Sequence, residues 1–242
     1  MLKKSILLEN KASLTTKNLQ LIIKSEIRES SIPIEDIGYL VIDHSEIYIS
    51  IPAINLLIEN NTAVIFCNAN HLPNGMLLNL NSHHIQQEIF KNQINASTPL
   101  KKQLWQQTIM EKITNQGILL EKLTKQKNNF VFLASKVLSG DTSNMEGVAA
   151  NFYWKSFFEH NFKRERFGDY PNNFLNYGYA ILRAATARAL SGSGLLNTLG
   201  IHHKSKYNAF ALADDIMEPF RPIVDEKIAE IMQNYSEQEL NT

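Results

Sequence analysis

The sequence predicts an α+β protein, with a small N-terminal β-sandwich-like domain over residues 1–82 and a larger all-α domain over residues 83–242. Three observations predict this class. Short β-branched runs fill the first third, the apolar spacing changes to a helical period near residue 85, and no internal repeat is present. Hydrophobic residues make up 44% and charged residues 20% of the 242 residues, so the chain has enough apolar surface for a core.

The N-terminal part contains five predicted strands, each bounded by polar or turn residues: 5–8, 19–23, 37–42, 46–51 and 62–66. A short helix is predicted over residues 52–59, where the apolar spacing is helical. Residues 29–31 are expected to separate two strands. Residues 73–75 are expected to form a turn, since Asn-Gly tolerates positive φ.

Helical spacing dominates from residue 85 onward, with apolar side chains at i, i+3, i+4 and i+7. The predicted helices cover 85–90, 100–113, 117–137 and the Ala-rich stretch 173–190, which the Gly-containing segment 191–194 ends. The predicted domain boundary lies at residues 81–84.

The formal net charge is zero, with 24 basic and 24 acidic residues. A nucleic-acid-binding protein usually has a basic excess, so the total counts against that function. The charge is uneven, however: residues 101–127 hold six Lys against two Glu, and residues 155–221 hold nine basic against six acidic side chains. Several acids of this stretch are candidate metal ligands, which a bound cation would neutralise.

A single cysteine, Cys67, excludes an internal disulfide framework and a thiolate zinc site. No stretch approaches the ~20 apolar residues of a membrane span. The N-terminus lacks the apolar core and cleavage site of a signal peptide. The expected location is the cytoplasm of a prokaryote, with no membrane partner.

Three separated segments contain the candidate catalytic residues. Glu146 follows the cap-type residues 141–144, His203 follows a Gly-rich break, and Asp215 and Glu218 are three residues apart. One histidine and two or three carboxylates form the ligand set of a divalent metal that acts on phosphodiesters.

Each segment also has a plainer interpretation. Glu146 could compensate a helix dipole, His203 could be an ordinary surface or core residue, and Asp215 with Glu218 could be a solvated acidic helix end. The neighbours His202 and Asp214 are expected to be bystanders.

Basic side chains near these segments are candidates for binding DNA phosphates, because such contacts need Lys or Arg. An ordinary solvated surface is the alternative. The candidates are Lys163, Arg164, Arg166, Lys204, Lys206 and Arg221.

Four segments in order resemble a known family: Gly140–Gly147, Gly168–Tyr179, Leu199–His203 and Asn208–Pro222. The family is the CRISPR-associated integrase, the metal-dependent endonuclease that installs new spacers in CRISPR arrays. The version found in type II systems is the most similar.

The resemblance implies that Glu146, His203 and Glu218 are catalytic and bind Mg²⁺ or Mn²⁺, with Asp215 as a further metal-binding position. It also implies that the N-terminal domain serves dimerisation and assembly. The implied partners are a second copy of the chain, double-stranded DNA (the prespacer and the CRISPR repeat), and a small ferredoxin-like adaptation subunit. Other type II CRISPR proteins are additional candidate partners.

The leading hypothesis is therefore a DNA integrase in which the 3′-OH of a prespacer attacks a phosphodiester at a repeat boundary. The alternatives are a catalytically degenerate scaffold that binds DNA, and a metal-dependent DNA-repair nuclease with the same ligands.

Overall fold

The computed structural model describes residues 3–81, 83–158, 162–165, 168 and 170–234. The chain divides into two compact units. The first comprises residues 1–90 with 187–195, and the second comprises residues 91–186 with 196–242. The sequence prediction places the boundary at residues 82 and 83 and assigns 187–195 to the helical domain.

The strands described in the first unit form two four-stranded sheets, ordered β1-β5-β7-β8 and β4-β3-β2-β6. A short helix, α1 (Ile51–Glu59), connects β6 to β7. The strand bounds are β1 Lys4–Leu8, β2 Ala12–Lys17, β3 Gln20–Ser25, β4 Glu29–Pro33, β5 Ile37–Ile42, β6 Ile47–Ile49, β7 Ala63–Cys67 and β8 Pro73–Leu77.

Alternating apolar residues from both sheets meet in the core of this unit. Leu14, Leu21, Ile37 and Leu40 are fully buried, and Leu57 of α1 packs against the same cluster. The arrangement is the one expected for strands with one apolar face. From the segment 187–195, Arg188 donates to the carbonyl of Asn61 within this unit.

Two predicted turns of this unit are strands instead. Residues 29–31 begin β4, and residues 73–75 begin β8. Both strands lie at sheet edges, where polar residues and an initial proline are tolerated because one side of the strand needs no ladder partner.

The rest of the described chain is helical apart from loops and 3₁₀ turns. Its helices are α2 Gln86–Ile94, α3 Thr98–Thr124, α4 Phe130–Ser135, α5 Met145–Phe157, α6 Asn172–Gly192, α7 Ala211–Ile216 and α8 Arg221–Asn234. A 3₁₀ turn, Glu218–Phe220, joins α7 to α8. The predicted fold class, a β region followed by a helical region, is confirmed. No helix in the described residues is long and apolar enough to cross a bilayer.

Helix α3 is central to the second unit and contacts α4, α5, α7 and α8. Its buried face carries Trp105, Ile109 and Ile113, which pack against Phe130 of α4 and Tyr153 of α5. Ser97 caps its N-terminus by accepting a hydrogen bond from the N–H of Leu100. The spacing of the apolar residues predicts this face.

A buried carboxylate links three further helices. Asp225 of α8 accepts hydrogen bonds from the hydroxyls of Tyr153 in α5, at 2.7 Å, and Tyr179 in α6. Burial raises the pKa of Asp225 to about 6, although the tyrosine hydrogen bonds and the charge of Arg221 oppose the shift. The tyrosine pKa values are also raised by burial beside this carboxylate.

Asp225→Asn is expected to remove a pH dependence of stability. Because the folded pKa, about 6, exceeds the ordinary value of 3.8, folding binds a proton in this range, and the free energy of unfolding falls as pH rises from about 4 to about 6. The change for this one group is on the order of 2–3 kcal/mol. Urea denaturation of both proteins at intervals from pH 4 to 7 measures it.

Asp36→Asn is the control, because Asp36 is a half-buried acid near the surface with one long ion pair. Its stability curve should run parallel to that of the unmodified chain. If the stability curve of Asp225→Asn also ran parallel to that of the unmodified chain, burial would not raise the pKa of Asp225.

Candidate active site

Glu146 lies in the first turn of α5, where side chains satisfy the free backbone N–H groups. Asp141 accepts hydrogen bonds from the N–H of Met145 at 2.8 Å and of Glu146 at 3.0 Å. Asn144 is the N-cap and accepts from the N–H of Gly147. The cap-type residues 141–144 therefore begin the helix as predicted, and they leave the Glu146 carboxylate free to contact other groups.

Glu218 opens the 3₁₀ turn between α7 and α8 and is buried. Its Oε1 pairs with Arg221 Nη2 at 2.9 Å. The guanidinium of Arg221 also lies over the ring of Tyr179, 4.4 Å from its centre. Asn115 of α3 donates to the carbonyl of Pro219 at 2.9 Å and so fixes the turn to α3.

Lys112 of α3 joins the two glutamates. Its Nζ lies 2.6 Å from Glu146 Oε1 and 2.5 Å from Glu218 Oε2. The side chains are 11% exposed for Lys112, 29% for Glu146 and 5% for Glu218. One ammonium therefore bridges two carboxylates that the sequence separates by more than seventy positions.

Sequence reasoning missed Lys112, although a signal for it exists. Lys112 shares the buried face of α3 with Trp105, Ile109 and Ile113. A lysine on the apolar face of a helix needs a partner, because an unpaired buried charge is costly. That position predicts an acidic neighbour without identifying it.

The cluster shifts the pKa of each buried member toward the charged form. Burial lowers the pKa of Lys112, but Glu218 and Glu146 more than offset this and raise it. Burial raises the pKa of Glu218, but Lys112 and Arg221 more than offset this and lower it. The pKa of Arg221 is raised because Glu218 outweighs the effect of burial.

His203 is held by Asp215, which is fully buried. The ring Nδ1 of His203 lies 2.6 Å from Asp215 Oδ1. The same carboxylate accepts the backbone N–H groups of Ile201, His202 and His203. Both oxygens of Asp215 are thus used to shape the loop and to orient the imidazole.

Gly200 allows the loop to approach this carboxylate. A Cβ at position 200 would lie 2.5 Å from the carbonyl oxygen of His203 and 2.9 Å from Asp215 Oδ2. Only glycine fits without displacing the backbone.

The remaining neighbours have separate partners. The ring of His202 stacks on Trp105 with centres 4.2 Å apart, so Trp105 is a core residue that also supports the loop. Asp214 pairs with Arg183 Nε at 2.6 Å and accepts from Asn208. That His202 and Asp214 are bystanders to metal binding stays a prediction.

The candidate DNA-binding residues fall into two groups. Lys163, Lys204 and Lys206 have exposed or half-exposed side chains, with Lys163 paired to Glu165. Arg164 donates to Asn172 and Asn176, and Arg221 pairs with Glu218, so both arginines have internal partners. Arg166 lies outside the described residues.

The donor set fits a divalent cation, since carboxylates with an imidazole suit Mg²⁺ and Mn²⁺. Glu218 Oε2 is wholly buried and has no aligned hydrogen-bond donor, because Lys112 contacts it as an ion pair outside hydrogen-bond geometry. The pKa of His203 is raised mainly by its hydrogen bond with Asp215, and the negative charge of Glu218 contributes to the same shift. Within the described residues, no three histidine, cysteine or acidic side chains are grouped so that they could hold a metal ion. Lys112 lies between the two glutamates.

Asp215→Asn is expected to lower the pKa of His203. The hydrogen bond with Asp215 is the main cause that raises this pKa, and burial opposes it. Because a raised histidine pKa stabilises the fold only below that pKa, Asp215→Asn should destabilise the chain more at pH 6 than at pH 9. NMR titration of the imidazole and denaturation at the two pH values measure both effects.

Asp214→Asn is the matched control for this substitution. Asp214 is the last of the charges that raise the pKa of His203, so its loss should change that pKa much less. An unchanged His203 pKa in Asp215→Asn would contradict the assigned role.

Comparison with known proteins matches this chain to one family. The family model for CRISPR associated protein Cas1 matches residues 6–239. The CRISPR-associated endonuclease Cas1 of Neisseria meningitidis serogroup C (strain 8013) is 39% identical over 224 residues, which cover 92% of this chain and 73% of that protein.

Two solved structures share the fold at lower identity. A casposase bound to integration product has a TM-score of 0.70 and 23% identity, covering 96% of this chain and 73% of its own. A chain of a partial Cas6-RT-Cas1–Cas2 complex has a TM-score of 0.60 and 24% identity, and the match covers 96% of this chain and 76% of that chain. The family match and the identity to the Neisseria endonuclease together show that this chain belongs to the Cas1 family of CRISPR-associated proteins.

Proposed function

We propose that this chain is a metal-dependent DNA integrase and endonuclease that inserts new spacers into CRISPR arrays. The observation that carries the proposal is the pairing of Glu146 and Glu218 with one buried ammonium, in the same compact unit as a histidine that Asp215 orients. Family membership supports it, as do the names of an endonuclease relative and of a casposase bound to integration product.

Glu146, Glu218 and His203 would hold Mg²⁺ or Mn²⁺. When bound, the ion would polarise a phosphoryl oxygen and stabilise charge on the attacking and leaving oxygens. His203 would bind through Nε2, because Asp215 occupies Nδ1. We assign Asp215 the role of positioning His203, since both of its oxygens are already used within the loop.

The reaction follows from the substrate chemistry. The 3′-oxygen of the prespacer forms a bond to the phosphorus at the repeat boundary, and the bond from that phosphorus to the displaced 3′-oxygen breaks. The attacking hydroxyl loses a proton and the leaving oxygen gains one, so the number of phosphodiester bonds is unchanged. Water in place of the 3′-OH would give the endonuclease reaction.

The exposed lysines supply the proposed DNA contacts. Lys204 directly follows His203 and Lys206 is three residues after it, so both lie near His203, and Lys163 is a further exposed cation. Such contacts would be largely independent of base sequence. Arg164 and Arg221 would instead support the site from within, through Asn172 and Glu218 respectively.

The proposed partners are double-stranded DNA, a second copy of this chain and a small ferredoxin-like adaptation subunit. A structural relative in a Cas1–Cas2 complex supports an assembly of this kind. We also propose the prokaryotic cytoplasm as its location, where a free thiol such as Cys67 stays reduced.

Glu146→Ala and His203→Ala are each expected to lower metal-dependent strand transfer by at least about 100-fold, since loss of even an outer support of a metal ligand costs about 10–100-fold. The assay uses branched DNA and a repeat-containing plasmid with Mn²⁺, with and without the small partner subunit. Circular dichroism confirms that each variant is folded.

Glu111→Gln is the matched control, because Glu111 is an exposed acid that directly precedes Lys112 on α3. It should retain full activity. Normal turnover in folded Glu146→Ala or His203→Ala would refute the site.

A DNA-binding scaffold without catalysis is the second candidate function. One observation favours it: Lys112 lies between the two glutamates that would bind the metal. A scaffold would bind prespacer DNA in a gel-shift assay while showing no strand transfer at any Mg²⁺ or Mn²⁺ concentration. An integrase would show both.

A further inference from the structure

Lys112 occupies a place in the site that the proposed reaction does not explain. Its ammonium contacts one oxygen of Glu146 and one of Glu218, at 2.6 and 2.5 Å. These are the oxygens that would bind a divalent ion. We propose that Lys112 is a built-in counter-cation that the metal must displace, and that it therefore sets the metal affinity of the site. The inference depends on the proposed metal-binding function.

The charges of the cluster indicate that a divalent ion would displace the Lys112 ammonium and would not bind beside it. Lys112 and Arg221 together balance Glu146 and Glu218, so the four groups are neutral without a metal. Adding a divalent ion while Lys112 stayed in place would leave an excess of two positive charges in a largely buried site. Coulomb repulsion at such short distance in a low dielectric disfavours that state.

The positions of the side chains show which cation can leave. Arg221 pairs with the other oxygen of Glu218 and stacks over Tyr179, so it does not share the bridging position. The lysine stem is flexible. Glu146 is the most exposed member of the bridge at 29%, so the ammonium can move toward solvent on the Glu146 side. There it remains close to any phosphate bound at the site.

The first test is metal affinity measured without catalysis. Free Mn²⁺ is quantified by electron paramagnetic resonance during titration of the full chain and of Lys112→Met, which keeps the side-chain length without the charge. Lys112→Met is expected to bind Mn²⁺ at least about 10-fold more tightly. Affinity equal to or weaker than that of the unmodified chain would overturn the proposal.

Lys122→Met is the matched control, because Lys122 is an exposed lysine on the same helix and pairs with the half-buried Glu226, away from the two glutamates of the site. It should bind Mn²⁺ like the unmodified chain. If neither the unmodified chain nor Lys112→Met bound Mn²⁺, the proposed metal function would fail together with this inference. If both bound it equally, only the role of Lys112 would fail.

A second measurement needs no variant, which matters because removing one partner of a buried ion pair is destabilising. The unmodified chain is treated with an amine-acylating reagent with and without Mn²⁺, and modification of each lysine is read by mass spectrometry. Displacement predicts a several-fold rise in Lys112 acylation with Mn²⁺ and no change at Lys122. Unchanged Lys112 acylation under saturating Mn²⁺ would overturn the proposal.

Discussion

The helical unit depends on one electrostatic constraint, which is that two carboxylates, one buried and one 29% exposed, share a single buried ammonium. Glu146 and Glu218 would repel strongly there, because Coulomb interactions are weakly screened in a protein interior. Lys112 bridges them, and Arg221 binds the far side of Glu218. These four groups come from α3, α5, the 3₁₀ turn and α8, so the packing of these elements around α3 is what brings the charges together.

Two further buried carboxylates hold side chains around this cluster through hydrogen bonds. Asp215 accepts hydrogen bonds from three backbone N–H groups of one loop and from the ring of His203, and it thereby orients that ring. Asp225 accepts hydrogen bonds from the hydroxyls of Tyr153 and Tyr179. The ring of Tyr179 lies against the guanidinium of Arg221. Each of these two buried aspartates uses its oxygens on neighbouring protein groups.

The sequence predicted those features that depend on local chemistry. The cap residues before Glu146, the apolar face of α3 and the strand over residues 37–42 follow from spacing and turn preferences, and the structure contains each of them. Sequence reasoning failed where long-range pairing decides the outcome. Residues 29–31 and 73–75 look like turns but are edge strands because a neighbouring strand is available. The partners of Lys112 lie on other elements, so no local pattern identifies them.

Internal pairing determines which basic side chains remain available for the proposed contacts with DNA. The basic excess of the central sequence is partly used inside the protein, since Lys112, Arg183 and Arg221 each neutralise a buried or half-buried acid. The cations left for phosphate are mainly the exposed lysines. Fewer phosphate contacts release fewer counterions, and affinity for DNA then falls less steeply with salt. Under the proposed function, the dependence of DNA affinity on salt should therefore reflect the exposed lysines that contact phosphate, and not all the basic residues of the sequence.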